Sequence, residues 1–349
     1  MKNKKIMAGV IASLIFCFNC AVMAKVPEDV PKDVKYILGF YYGNGENILI
    51  RENNGELELL YRFSREDKCF DKANIFPLTK NHFDSYTLNE SGPLHNTEVN
   101  VGFERDADGY GITCKIGGHR YSRYFFGNTT GENALPFRLP ENENWEKLRQ
   151  EAANAVMPAA LDAGIKAELV NLRTAGIKVD SRYALSDNLF GKPLYSSADL
   201  YLAKEAAEAL QAVNDELSSY GYGILVWDAY RPWSVSKLAY TALPDNRKYM
   251  LENPEEKMSR HNTGLAADVT LYELESGLEL EMSSGFDEPS LRQYYSYPGG
   301  TSRQRYLKTL LREVMEKHGF AGIEMEWWHF EYRNINEYAG LNISLENLQ

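Results

Sequence analysis

Cysteine is scarce in this sequence, with four in 349 residues. Cys17 and Cys20 lie within the first 24 residues, which leaves Cys69 and Cys114 for the rest of the chain. In an oxidising compartment such a pair predicts one disulfide, and two free buried thiols are the alternative. In either case, no disulfide can hold the C-terminal half together.

Long apolar runs are also missing, apart from residues 6–18. That run is shorter than the ~20 residues that span a bilayer, which argues against a membrane anchor. Three lysines precede it, and Val22-Met23-Ala24 supplies small residues before a cleavage site. These features predict a signal peptide over residues 1–24 and no stable membrane span after its removal.

The predicted signal peptide implies that the mature protein is exported, either to the periplasm or to the extracellular space. Attachment to lipid through Cys17 or Cys20 is a weaker alternative, because neither cysteine follows a Leu-small-small triplet.

Positive charge is in deficit, with 38 lysines and arginines against 49 aspartates and glutamates. Without the three lysines of residues 1–24, the chain has 35 basic residues and a formal charge of −14. An acidic surface of this kind disfavours nucleic acid and anionic membranes as partners.

Residues 25–140 are predicted to form an all-β accessory domain. Short runs rich in β-branched and aromatic residues alternate with turn signals, such as Asn53-Asn54-Gly55 between residues 48–52 and 57–61. Strands at this spacing favour a small antiparallel barrel or sandwich. The histidines of this region are scattered and form no reaction centre, so contact with the cell wall is the role left open for it.

The second half of the chain changes character after a proline- and acid-rich break at residues 135–144. A linker helix from Trp145 to about Ala163 is predicted within residues 141–167, and residues 168–349 then mix helices and strands, which predicts an α+β domain. The expected elements are a helix from Ser196 or Ser197 to about Tyr220, a buried strand at residues 222–227, a strand through Leu271 with a hairpin partner at residues 278–282, a helix at residues 302–317 and a final strand over residues 324–331.

The helix-borne His-Glu-x-x-His motif of many zinc proteases is absent, so metal ligands must come from separate stretches. On one straight strand, His261 and Asp268 would point to opposite faces, but Asn262-Thr263-Gly264 supplies a turn that lets them converge. Asp268 then lies within a strand, where a buried carboxylate needs a partner. That partner is either a metal ion or an arginine.

Glu326 and His329 are three residues apart, which places them on one face of a helical turn but on opposite faces of an ideal strand. Arg231 follows the buried strand and either faces a developing oxyanion or pairs with Asp228. Two imidazoles, one carboxylate and an open fourth position describe a catalytic zinc site. The spare glutamate would then carry the proton.

Several motifs occur together in an order and spacing that resemble one peptidase family. Residues 170–342 resemble the zinc-dependent D-alanyl-D-alanine dipeptidases, which share their catalytic fold with D,D-carboxypeptidases and hedgehog signalling domains. The matching motifs are Trp227-Asp228-x-Tyr230-Arg231-Pro232, Ser259-x-His261-x-x-Gly264-x-Ala266-x-Asp268, Thr270-Leu271-Tyr272, Phe286-Asp287 and Glu326-Trp327-Trp328-His329. Tyr294-Tyr295 departs from the family pattern, because some relatives carry His or other polar residues there.

The resemblance implies roles for eight residues. The implied Zn²⁺ ligands are His261, Asp268 and His329. The implied catalytic residues are Glu326, as general base and later acid, and Arg231, which would stabilise the tetrahedral intermediate. The implied substrate-binding residues are Tyr183, Ser259 and Asp287, the last of which would face the ammonium group of a D,D-dipeptide.

The expected activity is therefore zinc-dependent hydrolysis of D-Ala-D-Ala to free D-alanine. Two alternatives stay open: a D,D-carboxypeptidase that trims peptidoglycan stem peptides, and a non-catalytic, zinc-stabilised binding module. The presence of both Glu326 and Arg231 argues against the second alternative.

Overall fold

The computed structural model of the protein describes residues 26–61, 74–89, 98–125, 139 and 144–348. The predicted signal peptide lies outside the described residues, and so does Cys69. Its predicted disulfide partner, Cys114, is a free cysteine buried in the N-terminal core. Among the described residues, no helix is long and apolar enough to cross a bilayer.

The N-terminal part is a closed, eight-stranded antiparallel barrel. Each strand pairs with its neighbours along the chain, and the first strand pairs with the last, which closes the barrel. The all-β prediction is thus confirmed, in its barrel form. A helix α1 (Lys32–Lys35) precedes the strands β1 (Gly39–Gly43), β2 (Glu46–Asn53), β3 (Glu56–Tyr61), β4 (Asn74–His82), β5 (Ser85–Asn89), β6 (Glu98–Arg105), β7 (Gly111–Ile116) and β8 (His119–Arg123).

Strand β2 places neighbouring side chains in two different cores, because successive residues of a strand face opposite sides. Ile48 and Ile50 point into the barrel and belong to its apolar interior. Leu49, between them, belongs to a separate cluster that includes Tyr297 of the C-terminal half. Both faces of β2 are therefore buried, which agrees with its continuous run of apolar residues.

A five-stranded sheet organises the C-terminal half, in the order β10-β12-β13-β15-β14. Its first two strands are parallel and the other neighbours are antiparallel. The helices α3 and α5 pack together, α3 against β12 and α5 against β13 and β14. The elements of this half are α2 (Trp145–Ala153), β9 (Leu169–Asn171), β10 (Lys178–Val179), β11 (Tyr201–Ala203), α3 (Lys204–Ser218), β12 (Tyr222–Asp228), α4 (Trp233–Ala242), β13 (Ala266–Glu273), α5 (Ser302–Lys317), β14 (Phe320–Gly322) and β15 (His329–Tyr332).

The structure corrects the predicted start of α3. This helix begins at Lys204 rather than at Ser196 or Ser197. Residues Tyr201–Ala203 form β11 instead, which pairs with β9 and is fully buried. Pairing with a distant strand thus overrides the helical spacing of the apolar residues.

Three further elements differ from the prediction. The final strand, predicted over residues 324–331, is β15 at His329–Tyr332, and a turn precedes it. The linker helix α2 ends at Ala153 rather than about Ala163, with Asn154 as its C-terminal cap. Residues 278–282 form no strand, and their contact with β13 is an isolated bridge between Tyr272 and Glu279.

Candidate metal centre and active site

Three predicted ligands converge in the C-terminal half. His261, Asp268 and His329 are buried, and one ligand atom of each lies within 4.8 Å of the ligand atoms of the other two. Asp268 on β13 is directly opposite His329 on β15 in the antiparallel register. Directly opposed residues of an antiparallel pair have neighbouring side chains, so the sheet itself brings these two groups together.

A tight turn delivers His261 to the same place. Residues Arg260–Thr263 form a short 3-10 helix that begins with a reciprocal capping box between Ser259 and Asn262. Gly264 ends it in the left-handed conformation, with φ of 77°. The turn predicted at Asn262-Thr263-Gly264 therefore has the backbone that convergence requires.

His261 is oriented by a hydrogen bond on the side away from the cluster. Its Nδ1 lies 2.7 Å from the carbonyl oxygen of Ala229, which accepts a hydrogen bond from that nitrogen. This tautomer leaves a lone pair on Nε2, which lies 3.2 Å from Nδ1 of His329 and 3.4 Å from Oδ2 of Asp268. A ligand histidine of a metal site characteristically makes such an outer hydrogen bond.

His329 has a carboxylate on each side of its ring. Its Nδ1 lies 2.9 Å from Oδ1 of Asp268, and its Nε2 lies 3.6 Å from Oε1 of Glu331. Burial alone would lower the pKa of His329, but the two carboxylates raise it to about 10. His261 and His329 together outweigh the burial of Asp268 and hold its pKa well below the usual range.

Glu326 lies in the turn between β14 and β15. The backbone N–H of His329 donates to the carbonyl oxygen of Glu326 at 3.2 Å, so the two residues are joined by a turn rather than by an extended strand. Burial raises the pKa of Glu326 above its usual range, and the charge of Asp268 adds to this effect while His329 opposes it. A carboxyl group with a raised pKa beside a candidate metal centre is suited to accept and return a proton.

Arg231 forms the ion pair with Asp228, one of the two alternatives that the sequence left open. Its Nε and Nη2 donate to Oδ2 of Asp228 at 3.1 and 2.6 Å. Its guanidinium also lies 4.9 Å from the ring centroid of Tyr183, and its backbone N–H donates to the carbonyl of His261. The ion pair therefore fixes a buried cation beside the candidate centre. Tyr195 donates to the other oxygen of Asp228 at 2.5 Å.

Tyr183 and Asp287 are in direct contact, since the Tyr183 hydroxyl donates to Oδ2 of Asp287 at 2.5 Å. Asp287 adopts φ of 54°, a conformation that few residues other than glycine favour. Burial raises the pKa of Asp287 to about 8; the Tyr183 hydrogen bond opposes that rise, and the charges of Asp268 and Glu326 add to it. A carboxylate in these surroundings favours a nearby positive charge.

Ser259 has a different local environment. Its hydroxyl accepts the backbone N–H of Asn262, and its own backbone N–H donates to the Asn262 side chain at 2.9 Å. The structure thus places this residue at the start of the turn that carries His261, where it caps that turn.

Reasoning from the sequence missed two contributors to this site. Glu331 faces His329 from outside the cluster, and Tyr195 holds Asp228. The signal for Glu331 was present, because residues i and i+2 of a strand share a face. Tyr195 gave no comparable signal, since it reaches Asp228 from a separate loop.

A cavity of about 400 Å³ lies between the barrel and the C-terminal half. Its walls include Arg123 from the barrel and Trp227, Glu279 and Phe286 from the C-terminal half, but none of the three clustered ligands. Phe286 also packs against Tyr183, with ring centroids 5.3 Å apart. This cavity is therefore a neighbour of the candidate site rather than the site itself.

The C-terminal half of the chain matches one family of known proteins. The M15 peptidase family model described as D-ala-D-ala dipeptidase matches residues 166–341. The D-alanyl-D-alanine dipeptidase of Escherichia coli is 34% identical over 173 residues, which cover 49% of this chain and 88% of that protein. That of Enterococcus faecium is 31% identical over 46% of this chain and 87% of its own length, and that of Enterococcus faecalis is 32% identical over 45% and 86%. The barrel lies outside the matched residues.

Proposed function

Because this chain belongs to the D-Ala-D-Ala dipeptidase family of metallopeptidases, we propose that it hydrolyses D-Ala-D-Ala to two molecules of D-alanine. The observation that carries this proposal is the meeting of His261, Asp268 and His329, with their ligand atoms within 4.8 Å of one another. We further assign residues 168–349 to an α+β peptidase domain, which the mixed sheet and its packed helices support.

The donor set fits zinc. Two imidazole nitrogens and one carboxylate oxygen are borderline and hard ligands that Zn²⁺ accepts, and three protein ligands with an open position are typical of catalytic sites. His261 would bind through Nε2, because Ala229 occupies its other nitrogen. His329 would bind through Nδ1, which faces Asp268. When bound, zinc supplies Lewis-acid polarisation of the scissile carbonyl and acidifies water.

Glu326 is the residue placed to move the proton. Its carboxylate accepts a proton from the attacking water and delivers it to the nitrogen of the departing D-alanine. The burial that raises its pKa makes it a better base than an exposed glutamate. A bound cation would lower that pKa, so the carboxylate would be ionised at the start of the reaction.

Arg231 provides a fixed positive charge for the carbonyl oxygen as negative charge develops there. Asp228 engages Nε and Nη2 of the guanidinium, which orients the group before the substrate binds. Because the guanidinium of Arg231 is already in position, the reaction needs no reorganisation of this side chain.

Asp287 and Tyr183 are suited to the amino end of the substrate. The pKa of about 8 for Asp287 reflects burial that the charge of Arg231 offsets only in part, and a substrate ammonium group would supply a further positive charge. A dipeptide has that charge next to its scissile bond, whereas a longer peptide has an uncharged amide there. We therefore propose a preference for dipeptides over stem peptides.

We also propose that the protein acts after export, to the periplasm or the extracellular space. The support is the basic, then apolar, then small-residue pattern of residues 1–24.

The experiment compares the mature protein with a Glu326→Gln variant, both loaded with zinc and matched for metal content. We expect release of D-alanine from D-Ala-D-Ala by the wild type and a loss of at least ~10²-fold in kcat in the variant, because proton transfer by a placed side chain contributes that much. Unchanged turnover in the variant would remove Glu326 from the mechanism.

The same assay separates the alternatives. Faster release of terminal D-alanine from a pentapeptide stem than from the dipeptide would indicate a D,D-carboxypeptidase. Stoichiometric zinc without hydrolysis of either substrate would indicate a non-catalytic binding module.

A further inference from the structure

Residues 291–300, which we call the bridging segment, lie between the barrel and the candidate site. On the barrel side, Tyr297 joins an apolar cluster with Phe40 and Leu49, and its ring centroid lies 5.7 Å from that of Phe40. The backbone N–H of Glu52 donates to the carbonyl of Gly300 at 3.1 Å. The segment is therefore attached to the outer face of strands β1 and β2.

On its other side, the bridging segment holds the turn that carries Glu326. The backbone N–H of Trp327 donates to the carbonyl of Gln293 at 2.9 Å, and that of Tyr295 donates to the carbonyl of Glu324, also at 2.9 Å. These two hydrogen bonds flank Glu326 in the sequence. The backbone on both sides of Glu326 is thus held by the bridging segment.

Helix α5 of the C-terminal half also holds the bridging segment. The Nζ of Lys308, on α5, donates to the carbonyls of Tyr294 and Tyr297 at 3.2 and 3.3 Å. The bridging segment consequently lies between α5 and the barrel and contacts both of them.

We propose that the barrel is a brace for the active site, and that Leu49, through Tyr297 and the bridging segment, positions Glu326. This inference rests on the proposed function, because it assigns a positioning role for the same general base. Leu49 touches neither substrate nor metal position, so it is a positioning residue rather than a catalytic one.

Strand β2 offers a matched control for this proposal. Leu49→Ala and Ile48→Ala each remove three carbon atoms from fully buried side chains on adjacent residues. Ile48 faces the barrel interior, whereas Leu49 faces the cluster with Tyr297. Both changes should lower the stability of the protein, but only Leu49→Ala should weaken the contact between the barrel and the bridging segment.

The experiment uses the full mature chain, loaded with zinc, and compares the wild type with Leu49→Ala, Ile48→Ala and Leu49→Met. Amide hydrogen exchange, zinc content, Tm, and kcat and KM for D-Ala-D-Ala are measured well below each Tm. We expect Leu49→Ala to exchange faster at Tyr295 and Trp327 while it keeps its zinc.

We expect kcat of Leu49→Ala to fall by roughly ten- to 100-fold, because small displacements of a catalytic group are costly. KM should stay within about twofold, because Tyr183 and Asp287, proposed for the amino end of the substrate, contact each other and lie outside the bridging segment. Leu49→Met conserves volume and should restore both readouts. Ile48→Ala should keep the wild-type kcat and the wild-type exchange at Trp327.

Equal effects of Leu49→Ala and Ile48→Ala on kcat and on exchange at Trp327 would overturn the proposal, as would no effect of Leu49→Ala on either. The exchange measurement needs no activity. If the wild type failed to hydrolyse the dipeptide, the proposed function would fall while faster exchange at Tyr295 and Trp327 in Leu49→Ala alone would still support the brace.

Discussion

Single residues outside the candidate metal centre set the properties of the ligands within it. The carbonyl of Ala229 fixes the tautomer of His261, and Glu331 faces the far nitrogen of His329. A carboxylate behind a ligand imidazole makes that imidazole more basic and holds its ring in orientation. The metal affinity of this site therefore depends on residues that do not bind metal.

Glu331→Gln tests this dependence directly. The change keeps the shape of the side chain but removes the charge next to His329, and we expect zinc to bind about ten- to 100-fold more weakly. Competition with a chelator of known affinity measures the effect. Glu337→Gln, an exposed change in the same half of the chain, should leave zinc affinity unaltered, and equal affinities in both variants would contradict the assigned role.

The buried side chain of Lys308 should make the free energy of unfolding depend on pH. Burial lowers its pKa to about 7, while Glu324 acts in the opposite direction. Between this value and the ordinary pKa of about 10.4, the unfolded chain binds a proton that the folded chain does not, so folding stability rises with pH across that window. Below pH 7, Lys308 is protonated in both the folded and the unfolded chain, so the free energy of unfolding is reduced by the full cost of burying its charge.

Lys308→Met should remove that dependence. We expect the free energy of unfolding of the wild type, relative to the variant, to increase from pH 6 to pH 9 with a slope of up to about 1.4 kcal/mol per pH unit. Denaturant titrations at several pH values measure it. Parallel stability curves for the two proteins would show that Lys308 keeps an ordinary pKa.

At the scale of secondary-structure elements, the turn before β13 decides whether the ligands meet. Gly264 has φ of 77°, and a Cβ at this position would lie 2.5 Å from Cδ2 of Leu169. Gly221 has φ of 84°, but a Cβ there would meet nothing within 4 Å. The two glycines thus share the conformational requirement and differ in the surrounding space.

Gly264→Ala and Gly221→Ala separate these two effects. Each should cost roughly 1–2 kcal/mol for the left-handed conformation, and Gly264→Ala should cost more and also weaken zinc binding, because the clash displaces the turn that carries His261. Thermal unfolding and zinc titration measure both consequences. Wild-type zinc affinity in Gly264→Ala would show that this turn tolerates a side chain.

Elements with a complete local signal were predictable from the sequence. Helix α5, at Ser302–Lys317, matches its predicted bounds, because its apolar spacing is helical and Gly319 follows its end. The start of α3 was not predictable, since Tyr201–Ala203 pair with a strand some thirty residues upstream. The backbone at Glu326 was left open because its spacing of three residues from His329 fits one face of a helical turn as well as opposite faces of a strand.

At the scale of the whole molecule, the division into a β half and a mixed half followed from composition and turn signals. The connection between the halves did not, because it joins residues about 250 positions apart, such as Glu52 and Ser302. The carboxylate of Glu52 is buried and accepts the backbone N–H of Ser302 at 2.6 Å, at the start of α5. Nothing in the local sequence at Glu52 distinguishes this contact from an exposed strand glutamate.

The most direct test of the account is anomalous diffraction at the zinc edge from crystals of the zinc-loaded protein. The account predicts one strong peak about 2.0–2.2 Å from Nε2 of His261, a carboxylate oxygen of Asp268 and Nδ1 of His329, with Glu326 beside it and not coordinated. A peak at another place, or zinc-loaded crystals with no peak among these three side chains, would contradict it.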